Sequence, residues 1–131
     1  MKSDKSWERA LRCAQSALDK KAYDLVVLQV RTLTSVADYF IICTGRSDVQ
    51  VQSICRAIEE SLATMRVKPL AVEGFTHGQW VLLDFGDVVV HIFYETARQF
   101  YNLEGLWGQA PRCALPEPYS TQARDLRIAT A

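Results

Sequence analysis

Trp80-Val-Leu-Leu-Asp-Phe-Gly-Asp-Val-Val-Val-His-Ile-Phe93 is the stretch whose reading decides the fold. Two apolar, β-branched-rich runs, 80–85 and 88–93, flank Gly86-Asp87, which predicts a β-hairpin with a two-residue turn. Register follows from the turn. Phe85 opposes Val88, Asp84 opposes Val89, Leu83 opposes Val90, Leu82 opposes His91, Val81 opposes Ile92 and Trp80 opposes Phe93. Opposed residues share a side. One face then holds Val81, Leu83, Phe85, Val88, Val90 and Ile92 and is wholly apolar, so it belongs under helices. The other holds Trp80, Leu82, Asp84, Val89, His91 and Phe93. Buried Asp84 and His91 need partners, and exposed aromatic and apolar residues in one patch mark a contact site. The alternative is that the last helix covers this face too, with Phe100 or Trp107 packed on Trp80.

Outward from the hairpin, Leu70–Glu73 reads as a short strand after Pro69, closed by Gly74, with 75–79 a loop. Before it, Val51, Ile54, Cys55, Ile58, Leu62 and Met65 fall on one helical face, opened by Ser47 and Gln50 in a capping-box pattern. Leu25–Val30 and Tyr39–Cys43 read as strands joined by the loop 31–38. Residues 6–21 form an amphipathic helix on Trp7, Leu11, Ala14 and Leu18. After the hairpin, Thr96 and Gln99 suggest a second capping box and a helix through about Trp107, ended by Gly108 and Pro111. Residues 108–131 show little periodicity and read as a flexible C-terminal tail. The expected architecture is α/β (α+β): one domain over 1–107, with its core at 22–107, and a small mixed sheet of about five strands with helices packed on it.

The chain has 131 residues, enough for one core, with 49% hydrophobic and 23% charged residues. Fifteen basic and fifteen acidic residues cancel, which argues against a protein that coats nucleic acid through phosphate contacts. The four cysteines form no C-x-x-C pair and only two histidines accompany them, which argues against a zinc site; no cofactor or metal is expected. No apolar run approaches the roughly 18 residues a membrane span needs. Asp4, Glu8 and Asp19 do not suit a transit peptide, so a cytoplasmic protein is expected, with no membrane partner.

Several stretches resemble the ribosomal silencing factor (Iojap-like) family. They are Asp24-Leu-Val-Val-Leu-Gln-Val30, Ala37-Asp-Tyr-Phe-Ile-Ile-Cys-Thr-Gly45, Val72-Glu-Gly74, the hairpin itself, and Arg98-Gln-Phe-Tyr-Asn-Leu-Glu-Gly-Leu-Trp107. Order and spacing match from about Tyr23 to Trp107, and the tail lies outside the match. The resemblance implies a nucleotidyltransferase-like fold without the activity. It also implies binding to the large ribosomal subunit through ribosomal large-subunit protein fourteen, which blocks joining of the small subunit and represses translation. The same binding to a free large subunit suits a role in its biogenesis. Within the matching motifs, Trp80, Asp84, His91, Arg98, Tyr101 and Glu104, with Glu73 and Asp38, are the expected partner-binding residues. Trp80 would be the aromatic anchor, and Asp84, Glu104 and Glu73 would meet a basic surface.

Two other readings compete. A nucleotidyltransferase-fold enzyme or nucleotide-binding protein would use Thr44-Gly45-Arg46-Ser47-Asp48 at a helix N-terminus, but the paired carboxylate such chemistry needs is missing after it. A homodimer could instead bury the open hairpin face.

Overall fold

A computed structural model describes residues 5–126. The first four residues of the expected domain and residues 127–131 of the expected tail lie outside the described residues. In chain order the elements are α1 (Lys5–Asp19), β1 (Tyr23–Gln29), β2 (Tyr39–Gly45), α2 (Asp48–Thr64), β3 (Ala71–Glu73), β4 (Trp80–Asp84), β5 (Val88–Tyr94), α3 (Glu95–Tyr101), α4 (Leu103–Leu106) and α5 (Tyr119–Asp125). The five strands form one mixed sheet in the order β1-β2-β5-β4-β3. Only β2 and β5 run parallel; the other neighbours are antiparallel.

The hairpin register is the one its turn predicts, from Trp80 opposite Phe93 to Asp84 opposite Val89. Its apolar face is buried without remainder, with Val81, Leu83, Val88, Val90 and Ile92 at 0% exposure and Phe85 at 5%. Both long helices pack there. α2 contributes Val51, Ile54, Cys55, Ile58 and Leu62, and α1 contributes Ala10, Cys13, Ala14, Ala17 and Leu18. The small side chains of α1 let it lie close to the sheet and to α2. Each buried Ile or Leu contributes about 2 kcal/mol by leaving water, so this layer is the main source of stability.

The opposite face carries a second core. Leu28, Val30, Phe40, Ile42, Val89 and Phe93 are covered by Ala97, Leu103, Ala110 and Trp107. The last helix does not run unbroken to Trp107. Asn102 adopts a left-handed conformation (φ 43°) and splits it into α3 and α4. Asn tolerates that region better than most residues. Phe100, on α3 ahead of the break, points outward at 81% exposure and is not in the cluster that holds Leu103 and Trp107. The second capping box does not form either: α3 starts directly from β5, its N-cap is Tyr94 and no side chain caps it. The first box does form, with Ser47 Oγ accepting from Gln50 N at 3.0 Å.

The segment after Gly108, expected to be a flexible tail, is tied to the sheet as far as it is described. Gln29 N donates to Pro111 O (2.9 Å) and Cys113 N to Val27 O (2.8 Å), so residues 111–113 lie along the free edge of β1. α5 then docks beside α1, where Gln122 Nε2 donates to Leu18 O (3.0 Å). Asp24 N donates to Leu126 O (3.2 Å). This strap closes the seven-residue edge of the sheet. At the other edge, β3 is only three residues long and follows Lys68-Pro69, which blunts it without a cover.

Candidate partner-binding face

The second face of the sheet is covered unevenly. Over β2 and β5, Phe40, Ile42, Val89, His91 and Phe93 are all buried. Cover thins over β4, where Trp80, Leu82 and Asp84 are half-buried, and over β3, where Glu73 is exposed. Glu73 lies opposite Leu82, and Ala71 opposite Asp84, so the two carboxylates sit diagonally on the same face. The alternative reading of the hairpin is therefore half met. A helix does reach Trp80, but through Tyr101, with ring centroids 4.7 Å apart. Trp107 packs instead edge-on against Phe40 at 5.0 Å.

Trp80 is held on three sides. Its ring lies 4.9 Å from Phe93 and 4.7 Å from Tyr101, and its Nε1–H donates to His91 Nδ1 at 3.2 Å. An anchor fixed this way loses little side-chain freedom on binding. His91 thus serves from below. It is 5% exposed, and burial pulls its pKa down to about 4, so it is neutral at ordinary pH. Asp84 Oδ1 accepts from Gly86 N at 2.8 Å, which orders the hairpin turn while the carboxylate stays half-exposed. Glu73 has no cation partner among the described residues. Trp80, Leu82 and Tyr101 with Glu73 and Asp84 make an aromatic-centred patch with an acidic border.

Three expected contact residues have other engagements. Arg98, 9% exposed, forks onto Glu104 through Nε (2.8 Å) and Nη2 (2.9 Å), and its Nη1 donates to Thr44 Oγ1 at 2.7 Å. The guanidinium holds the Glu104 carboxyl below its ordinary pKa. Glu104 is therefore a charged partner for Arg98 within the protein. Asp38 stands at the rim beside α1, accepting from Ser6 Oγ at 2.6 Å, with Arg31 3.9 Å away. Asp87 joins it there, accepting from Ser6 and from Arg9, and so anchors α1 as well as forming the turn. Sequence reasoning missed Thr44 and Phe40 as supports of this face. Their signals are a place in an apolar strand and in the matching stretch 37–45, neither of which shows what they support.

Three amides of the turn that opens α2 are taken up by side chains of the same turn. Arg46 N donates to Gln50 Oε1 (2.6 Å), Val49 N to Asp48 Oδ1 (2.8 Å) and Gln50 N to Ser47 Oγ. Gly78 packs against Asp48, where an added Cβ would lie 2.8 Å from the Asp48 Cβ. A phosphate-cradling turn needs such amides free. Burial pushes the thiols of Cys43 and Cys55 up to about 12, so neither is a nucleophile at neutral pH.

The model of the family described as "Ribosomal silencing factor during starvation" matches residues 3–130. The chain belongs to this family. A ribosomal silencing factor of Bacillus subtilis is 47% identical over 102 residues, 77% of this chain and 86% of that protein. The chloroplastic protein Iojap of Arabidopsis thaliana is 38% identical over 88% of this chain and 48% of its own length. A crystal structure of a Chromobacterium violaceum protein superimposes with a TM-score of 0.77 at 33% identity, covering 88% of this chain and 97% of that one. One from Bacillus halodurans gives 0.72 at 38% identity, covering 82% and 99%. The mixed α/β sheet is thus the fold of solved silencing-factor relatives, as the motifs implied. No described helix is long and apolar enough to cross a membrane.

Proposed function

We propose that this ribosomal silencing factor binds the large ribosomal subunit through ribosomal large-subunit protein fourteen, at the surface that meets the small subunit. Bound there, it prevents subunit joining and lowers translation. The observation that carries the reading is the half-open face of β3 and β4. Trp80 is pre-positioned at its centre, Leu82 and Tyr101 are beside it, and Glu73 and Asp84 form its border. Large, ordered aromatic side chains supply binding energy at the centre of protein interfaces. Border carboxylates favour a basic protein surface and speed encounter with it. The same binding to a free large subunit serves its assembly.

The reading assigns no catalytic residue. The three amides of the turn before α2 that already have side-chain acceptors, and the raised thiol pKa values, support that choice over the nucleotidyltransferase alternative. The cytosol suits a chain whose described cysteines are all free thiols. A homodimer through the same face would compete with docking.

Sedimentation with isolated 30S and 50S subunits tests the function. The expected result is co-migration with 50S and reduced 70S formation when 30S is added. Binding to neither subunit refutes the reading.

A further inference from the structure

We infer that Arg98 is a positioning residue for docking: it bolts α3 and α4 to the sheet and so holds Tyr101 against Trp80 on the binding face. The inference rests on the docking role proposed for that face.

α3 has seven residues and α4 has four, both too short to persist on their own. No side chain caps either of them, and Asn102 breaks the helix between them. Placement therefore depends on what each buries. α3 buries only Ala97 and Arg98, so Arg98 is its one long anchoring side chain. From α3 the guanidinium reaches back to Thr44, which is 1% exposed at the end of β2 and pairs in register with Phe93. It reaches forward across the Asn102 break to both carboxylate oxygens of Glu104 on α4. One side chain thus joins sheet, α3 and α4. Tyr101 follows three residues later and one helical turn on, and its ring rests on Trp80 at 4.7 Å. Lysine carries charge but no fork, and cannot make these bonds together.

The test uses the full chain with isolated large subunits, comparing wild type, Arg98→Lys, Tyr101→Ala, the double variant and Trp80→Ala. The Trp80 indole N–H resonance, assigned by its loss in Trp80→Ala, is followed in parallel. Arg98→Lys is expected to shift that resonance and to weaken docking about tenfold, while adding less than about twofold in the Tyr101→Ala background. Glu104→Gln keeps one acceptor and loses the charge; it is expected to shift the same resonance less and in the same direction, which covers the case of an Arg98 variant that does not fold. Wild-type docking by folded Arg98→Lys, with docking lost in Trp80→Ala, overturns the inference and leaves the docking role standing. Losses that add fully in the double variant also overturn it, because Arg98 would then act independently of Tyr101. Unchanged docking by Trp80→Ala overturns the docking role and the inference together.

Discussion

The indole N–H of Trp80 donates to His91 Nδ1 at 3.2 Å, so the central ring of the binding face is held by a histidine buried beneath it. With Nδ1 accepting, the neutral ring carries its proton on Nε2, which is buried without a hydrogen-bond partner among the described residues. Protonation of Nδ1 would set two N–H groups against each other and break the bond to Trp80.

Stability should therefore depend on pH in a defined window. The folded pKa of His91, about 4, lies below its ordinary 6.5 because burial disfavours the charged ring. Between these values the unfolded chain binds the extra proton, so stability is complete above pH 6.5 and is lost as pH falls toward 4. The loss attributable to this one group is up to about 3 kcal/mol. Urea unfolding of wild type and His91→Phe across this range checks it. The variant should show a flatter profile; equal profiles would remove His91 as the cause.

Trp80→Ala should weaken binding to the large subunit by about 2 kcal/mol or more, over tenfold. It also removes contacts to Phe93 and Tyr101, so its melting temperature should fall. A binding isotherm well below the melting range separates the two effects. Wild-type affinity would exclude this ring as the anchor.

Glu73→Lys offers a cleaner probe of the border, because Glu73 is exposed and makes no ion pair among the described residues. Its melting temperature should stay within about 2 °C of wild type. The association rate should drop severalfold at low salt, and the gap should close as salt rises. Stopped-flow association at several ionic strengths reads this directly, and a salt-independent deficit would point to lost contact area instead.

Gly74→Ala should disturb the anchor through the backbone. Gly74 sits at φ 80°, and a Cβ there would collide with the carbonyl oxygen of Trp80. A cost of about 1–3 kcal/mol is expected from strain alone. The Trp80 indole resonance should broaden or shift. An unperturbed spectrum would show that the loop absorbs the methyl group elsewhere.

Stopping the chain at Gly108 should uncover the edge of β1. The amides of Gln29 and Asp24 lose their acceptors on Pro111 and Leu126, so they should exchange much faster with solvent. Self-association that grows with concentration is expected as well, since an uncovered seven-residue edge invites pairing. Hydrogen exchange and light scattering report the two outcomes. Retained protection at Gln29 would mean that the strap contributes little.

These features differed in how far the sequence disclosed them. The hairpin was readable because its period of two and the Gly86-Asp87 turn leave a single register. The face of α2 was readable because its apolar residues recur at helical spacing over a long run. Arg98 and Glu104 were not readable as a pair: six residues apart on an unbroken helix they would point about 120° apart and nearly two turns away from each other, and only the turn at Asn102 brings them together. Thr96 resembled a cap because cap chemistry is local, whereas the helix start was set by β5 running straight into α3. The strap left no pattern because edge pairing uses backbone groups, which every residue supplies. Within the binding face, Trp80 and Asp84 could be named from the hairpin alone, but His91 packs against Phe40, which is remote in sequence.

The strap also imposes an order on synthesis. Gln29 finds its edge acceptor on Pro111, some 80 residues further along the chain; at about 5–20 residues per second, that acceptor is made about 4–16 s later. During that interval a nascent chain holds β1 with its outer edge unpaired. Elongation rate thereby sets how long each newly made molecule remains open to its neighbours on the same message.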